Sequence, residues 1–296
     1  DFITRHLDVR LDLLFVVPGE PLPPVLPDHD VAFFAVSEFD AASRCRLAAL
    51  HAAWPRPVLN DPAAIARLTR DAVADGLATI PGLCSPPVAR ATRAQLLAHL
   101  AGGARLALLD RPALIRPVGS HAGHGLAKID DAAGLAAYLE GVDAVGFFLT
   151  RFVDYRDAAG LFRKLRVVFI DGAPFLCHMA TSRHWMVHYL NAGMAESAPR
   201  RADEAAAMAG FDTGFAARHA AAFAALQAWM GLDYFQLDCA ETPDGRLLVF
   251  EVDVAAIVHL MDPADLFPYK PPQMHRVFAA FEAMLRRRAG VNAQAG

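Results

Sequence analysis

The sequence is poor in cysteine, in surplus basic charge and in long apolar runs, and each shortage removes a class of protein. The four cysteines of the 296-residue chain are Cys45, Cys84, Cys177 and Cys239. No two form a C-x-x-C pair, which excludes a zinc knuckle and a thioredoxin motif and leaves reduced thiols in a cytoplasmic protein as the expectation. Lys plus Arg number 28 against 32 Asp plus Glu, a formal charge of −4. Nucleic-acid binders and proteins of anionic membranes need basic fields, so neither nucleic acid nor membrane is an expected partner. The longest apolar stretches, Leu13 to Val17 and Val31 to Val36, fall far short of the roughly 20 residues of a membrane span. A soluble chain is expected. A G-x-S-x-G elbow and a cysteine-nucleophile context are both missing, which argues against covalent hydrolysis. His184 and His188 have the i, i+4 spacing of a zinc helix, but Trp185 stands where the required Glu would be, which argues against a metalloprotease. The chain begins at Asp1 rather than Met and shows no secretory leader, so a natural N-terminus further upstream is expected.

What is present is apolar material, 55% of residues, which excludes disorder and suffices for one large domain or two to three lobes. Val9 to Val17, Val31 to Val36 and Pro57 to Leu59 read as strands, and Asp40 to Ala53 reads as a helix. Alternating strands and helices predict a small parallel α/β lobe over residues 1–75. Asp61 is placed to cap a helix with Pro62 in its first turn. Over residues 76–150 a second lobe with its own sheet is predicted. Its helices are Ala94 to Leu100 and Ala132 to Leu139, the latter behind the capping pair Asp130-Asp131. Its strands are Ala113 to Arg116, Leu126 to Ile129 and Val145 to Phe152. Residues 151–290 read as antiparallel, with hairpin signals at Asp171-Gly172 and Asp244-Gly245 around a helix from Phe215 to Met230 that Gly231 ends. A disordered tail is expected at 291–296.

Three stretches could carry chemistry. If Asp244-Gly245 is a two-residue turn, Pro243 faces Arg246 and Asp238 stands opposite Glu251. Period two then sets Asp253 on the face of Glu251. Like charges opposite one another repel, so this trio needs cations. Mg²⁺ fits, since it binds through one or two carboxylates plus substrate phosphates. Neutralisation by Lys or Arg, or a turn that shifts the register, stays equally open. The second stretch, Arg116 to Leu126, holds Gly119, Ser120, Gly123 and Gly125, which suit close backbone approach to a phosphate, as Arg116 suits its charge. It is neither a Rossmann fingerprint nor a Walker A loop. In the third, alternation places Lys164 and Arg166 on one strand face, suited to a phosphoryl group or a carboxylate.

The order of these pieces, with the phrases Arg-Pro-Val-Gly-Ser-His at 116–121, Phe-Arg-Lys-Leu-Arg at 162–166 and Trp-Met-Val-His-Tyr at 185–189, resembles the ATP-grasp superfamily. The nearer resemblance is to glutathione synthetase and the RimK-type carboxylate–amine ligases, especially RimK-like domains fused to tetratricopeptide repeats in bacteria. The resemblance implies an α/β (α+β) ATP-grasp fold, a small parallel N-terminal lobe followed by two α+β subdomains clasping a nucleotide. It implies ATP and Mg²⁺, with Mn²⁺ as a substitute, and a carboxylate and an amine joined through an acylphosphate. By the same resemblance Ser120, Gly123 and Gly125 would cover the phosphates, and Arg116 and Arg70 would contact the nucleotide where the family has lysines. Arg151, Phe152 and Val153 would form the adenine hinge, and Lys164 and Arg166 would steady the γ-phosphate and acylphosphate. Asp238, Glu251 and Asp253 would hold metal, the last being usually Asn in the family. His178, Arg183, His184, His188 and Asn191 are candidates for substrate contact. A homodimer and an upstream repeat domain are compatible with the resemblance. The alternatives are a degenerate nucleotide-holding module without ligase activity and a phosphotransferase on the same fold.

Overall fold

The computed structural model describes residues 2–17, 19–36, 41–120, 123–255 and 257–290. Asp40, at the expected start of a helix, His121 and Ala122 of the glycine-rich turn, and the expected tail 291–296 lie outside the described residues.

Helix α1 (Phe2–His6) leads into an irregular stretch that ends at β1 (Ala32–Phe33). The strand expected from Val9 to Val17 does not form. Leu13 and Phe15 there are 72% and 78% exposed, and among the described residues no strand pairs with the run. Helix α2 (Ala41–Ala53) then crosses to β2 (Val58–Leu59), which runs parallel to β1 with Ala32 opposite Val58. Asp61 starts α3 (Pro62–Ile65) by accepting the Ala63 N–H at 2.8 Å. Helix α4 (Arg70–Leu77) follows.

Strand β3 (Leu83–Cys84) precedes β4 (Val88–Thr92) and α5 (Arg93–Leu100), whose first turn is closed by a reciprocal Thr92–Gln95 capping box. Then come β5 (Ala113–Pro117), β6 (Ala127–Ile129), α6 (Ala132–Gly141) and β7 (Gly146–Arg151). Strands β4, β7, β5 and β6 form, in that order, an antiparallel sheet. Its inner face buries Ile115, Phe147 and Leu149 against Leu96 of α5 and Leu135 and Leu139 of α6.

The remaining elements are β8 (Phe162–Ile170), β9 (Ala173–Ser182), α7 (Ala198–Ala209), α8 (Phe215–Arg218), α9 (Ala220–Met230), β10 (Tyr234–Glu241), β11 (Leu247–Asp253) and α10 (Lys270–Arg288). Asp171 and Gly172 connect β8 to β9 with φ of 52° and 84°, the geometry of the expected two-residue hairpin. The helix expected over 215–230 is broken at His219, whose ring reaches Glu241 at 2.7 Å together with Arg218. Gly231, at φ 61°, ends α9. A five-stranded sheet has the order β3-β11-β10-β8-β9, antiparallel except for β3 beside β11. Phe169 and Phe235 stack across it at 4.6 Å, 1% and 0% exposed, and α9 and α10 cover that face through Phe223, Leu226, Val277 and Phe281. The molecule is therefore a mixed α/β fold with separate sheets. Among the described residues no helix is long and apolar enough to cross a membrane.

Candidate active site

The opposite face of the five-stranded sheet carries its charges. The β10–β11 turn closes on Thr242, whose N–H donates to the Arg246 carbonyl at 2.9 Å. Pro243, Asp244 and Gly245 (φ 80°) thus form a three-residue loop rather than the expected two-residue turn. Glu241 accordingly faces Leu247, a register that carried straight along would bring Phe250 opposite Asp238. A bulge between Asp238 and Cys239 absorbs the additional β11 residue, and Asp238 stands opposite Glu251 after all.

Pairing between β8 and β10 puts Arg166 opposite Asp238, and pairing between β8 and β9 puts His178 opposite Arg166. The row His178, Arg166, Asp238, Glu251 therefore crosses four adjacent strands. The basic and acidic faces read separately from the sequence are one face. Arg166 grips Asp238 with both prongs, Nε to Oδ1 at 2.7 Å and Nη2 to Oδ2 at 3.0 Å, and Lys164 Nζ lies 2.7 Å from Oδ2. Asp238 is only 5% exposed. Burial pushes its carboxyl pKa up, but the Lys164 charge and the Arg166 hydrogen bonds outweigh this and hold it well below the usual carboxylate range. Burial likewise opposes the Arg166 charge, and Asp238 overcomes it. Desolvation first, and the Arg166 charge second, keep His178 well below the ordinary histidine pKa of 6.5.

A cavity of about 650 Å³ separates this face from the four-stranded sheet. Its charged wall is made by Arg70, Arg116, Lys164, Glu251 and Asp253, and apolar surface comes from Val73, Phe148, Leu248 and Val252. Arg70, in the first turn of α4, donates to Glu251 Oε1 at 2.7 Å. Asp253 Oδ1 accepts the Ala255 N–H at 2.9 Å. Arg151, Phe152 and Val153 line the cavity where β7 leaves its sheet. On the other side Arg116 folds back on the glycine-rich turn, its Nε 3.1 Å from Ser120 Oγ and its Nη2 bonded to the Ser120 carbonyl. Gly119, Gly123 and Gly125 all have positive φ. At Gly125 a Cβ would sit 2.7 Å from Pro117 Cδ, so the turn folds this tightly only with glycine there.

The segment from Trp185 to Asn191 closes a further side. Trp185 packs edge-on to Phe152 at 6.0 Å and its carbonyl accepts the Tyr155 hydroxyl at 3.2 Å. His188 and Asn191 line the cavity, and His188 Nδ1 is buried without a hydrogen-bond partner. A feature without a motif supports this segment. Lys270 bonds the Tyr189 hydroxyl and lies 2.6 Å from Asp262, while Glu204, fully buried, accepts the Tyr269 hydroxyl at 2.6 Å and the Met179 N–H at 3.0 Å. The only sequence signal for it is one lysine before Pro271-Pro272.

Of the residues singled out in the sequence, the structure brings Arg70, Arg116, Gly123, Arg151, Phe152 and Val153 to the cavity, together with Lys164, His188, Asn191, Glu251 and Asp253. Ser120 and Gly125 shape the turn behind it, and Arg166, Asp238 and His178 stand in the strand row beneath it. Arg183 and His184 are exposed and outside the lining. As a seat for a divalent cation, Glu251 and Asp253 fit, being two carboxylates on one strand face at the cavity wall. Asp238, on the same face, is engaged by Arg166 and Lys164. Among the described residues no three His, Cys, Asp or Glu side chains are grouped to hold a metal.

The chain shares its mixed α/β fold of separate sheets with solved ATP-grasp structures, the fold that the sequence resemblance implied. It is similar to a D-alanine–D-alanine ligase from Coxiella burnetii, with a TM-score of 0.52 and 10% identity over 89% of this chain and 70% of that one. Also similar are a RimK-domain ATP-grasp protein from Sphaerobacter thermophilus (TM-score 0.48, 15% identity, 94% and 85% covered) and a D-alanine–D-alanine ligase from Bacillus anthracis solved with ATP (0.45, 14%, 90% and 82%). No protein-family model and no curated protein matches the sequence.

Proposed function

We propose that the chain is an ATP- and Mg²⁺-dependent ligase that joins a carboxylate to an amine through an acylphosphate. The observation that supports this most is the cavity wall, where Arg70, Arg116 and Lys164 share one space with Glu251 and Asp253 and with apolar surface broad enough for a nucleotide base. Phosphoryl transfer asks a protein for positioning and charge neutralisation rather than for a nucleophile. In this reading Phe148, Phe152 and Val153 hold the base, and Arg116 with the backbone at Gly123 meets the phosphates. Lys164 faces the γ-phosphate as the substrate carboxylate attacks it, and Arg166 keeps Lys164 in company through their shared partner Asp238. The amine then attacks the acyl carbon, forming the amide C–N bond as the acyl C–O bond breaks and inorganic phosphate and a proton leave, with Trp185 to Asn191 shielding the acylphosphate from water. Glu251 and Asp253 would hold Mg²⁺, which supplies charge neutralisation at the phosphates.

The test is ADP release with MgATP over paired amino acids and small carboxylic acids, with product mass spectrometry. Turnover needing both partners and a product lighter than their sum by one water is expected. Glu251→Gln should abolish it with an unchanged circular-dichroism spectrum; an unaffected rate would sink the assignment. A second reading, a module that holds nucleotide without ligation, is favoured by the Arg70–Glu251 ion pair at 2.7 Å, which sets a fixed positive charge beside a carboxylate that a cation would need. A MgATP-induced rise in melting temperature with no ADP from any pair would select it.

A further inference from the structure

Arg70, Arg116 and Lys164 reach the cleft already engaged by the protein, through Glu251, Ser120 and Asp238. His188 differs. It lines the cavity, and its Nδ1 is buried without a hydrogen-bond partner. The backbone on either side of it is anchored. The Trp185 carbonyl accepts the Tyr155 hydroxyl at 3.2 Å, and the Tyr189 hydroxyl is bonded by Lys270, whose Nζ lies 2.6 Å from Asp262. The His188 carbonyl itself accepts the Asn191 N–H at 2.9 Å. The strap is thus pinned, and the imidazole is the part of it left to serve the cleft. The charged groups that face the ring are Lys164 and Arg166 of β8 and Asp238 of β10. Partial burial first, and the two cations next, hold the ring below the ordinary histidine value of 6.5, against the opposite pull of Asp238. At neutral pH it is an uncharged imidazole, with one nitrogen able to accept a proton. The same field acts on any ammonium that enters, because Lys164 and Arg166 favour its uncharged form. The cavity lining on this side, Trp185, Met186, Val187, His188 and Asn191, includes no carboxylate to hold the charge.

We propose that His188 is the catalytic base of the ligation, taking up at Nε2 the proton that the acceptor amine must lose. This rests on the ligase reading above. With Nδ1 closed off by its surroundings, Nε2 is the nitrogen that can meet a substrate. The amine enters as an ammonium and gives one proton to His188. Its freed lone pair forms the C–N bond to the acyl carbon. The acyl C–O bond breaks with its electron pair going to the phosphate, and a second proton passes from the nitrogen to that phosphate. The amide, hydrogen phosphate and a protonated His188 result, and the imidazolium returns its proton to water as the products leave. Transfer of the phosphoryl group to the carboxylate needs no such base, so His188 serves the second half of the reaction alone.

The test sets two acceptors against the carboxylate found by the ADP-release screen. One is the amine of the same pair, an ammonium at neutral pH; the other is hydroxylamine, which is already uncharged there and gives a hydroxamate. Rates are read by ADP release and products by mass spectrometry. His188→Gln keeps a polar side chain of similar reach that cannot take a proton. With the amine its kcat is expected to fall about 100-fold or more, the usual contribution of a general base. With hydroxylamine it is expected to stay within a few-fold of wild type. A merely structural role would lower both rates alike, and that outcome overturns the inference while the ligase reading stands. An amine rate that His188→Gln leaves unchanged does the same. If His188→Gln does not fold, as judged by its circular-dichroism spectrum, His188→Asn is read on the same terms. Wild-type chain that makes hydroxamate but no amide from any amine overturns the inference and leaves carboxylate activation standing. Wild-type chain that makes neither overturns the ligase reading as well.

Discussion

Arg116 and Gly125 act on one turn from its two ends. The guanidinium ties the Ser120 side chain and carbonyl back to β5, and Gly125 lets the returning chain pass against Pro117. Alanine at 125 would meet Pro117 Cδ at 2.7 Å in a left-handed backbone of φ 65°, a conformation that costs an L-residue about 1–2 kcal/mol before any clash. Gly125→Ala is therefore expected to displace the turn and shrink the rise in melting temperature given by MgATP, more than it lowers the melting temperature of the free chain. A full ligand-induced rise in the variant would show that the turn does not meet nucleotide. Residues of this kind are readable in the sequence as glycines and charges, but their partners are not. Arg70 and Glu251 are 181 positions apart and Arg166 and Asp238 are 72 apart, and nothing local selects those pairs.

Elements were legible where their signal is local. The Asp61–Pro62 helix start, the Asp131 cap and the Asp171-Gly172 hairpin form as turn and cap chemistry dictates. The Asp238–Glu251 register is also as expected, although two opposite one-residue departures, the longer loop and the bulge, produce it. Helix α10, not among the expected helices, nevertheless carries a local stripe in Met274, Val277, Phe278, Phe281 and Met284, at helical spacing. The Val9 to Val17 run failed because a strand requires a neighbour, which an apolar pattern cannot supply. Packing between elements also reverses a propensity rule. Gly76 lies inside α4, where alanine ordinarily adds about 1 kcal/mol of helix stability. A Cβ there would fall 2.0 Å from the Trp229 ring of α9. Gly76→Ala is expected to lower the melting temperature, and Gly76→Ala combined with Trp229→Leu to recover part of the loss. A stabilised single variant would mean that Trp229 turns aside at little cost.

For the molecule as a whole, the formal charge of −4 hides a row across a sheet in which one cation, Arg166, stands between His178 and the neighbouring carboxylates Asp238 and Glu251, and that row sets the response to acid. His178 resists protonation in the fold, whereas the unfolded chain takes up the proton near its ordinary value of 6.5. The unfolded state then binds more protons, so stability is lost as pH falls below that value, at up to about 1.4 kcal/mol per pH unit for one histidine. The lowered Asp238 pKa adds a second loss, absent above its ordinary 3.8 and growing as pH falls below it. Urea midpoints are expected to be level from pH 8 to 7 and to decline from 6.5 downward; His178→Gln should flatten the upper part of that decline, and an unchanged slope would assign it to other groups. The cavity has one more consequence. Its wall draws on residues from Leu68 to Asp253, so during synthesis the proposed nucleotide site is incomplete until β11 has emerged and docked. A ligand bound there stabilises only the finished fold, by an amount that grows with its concentration. Nucleotide would thus act late, as a check on completed assembly rather than as a guide to early folding.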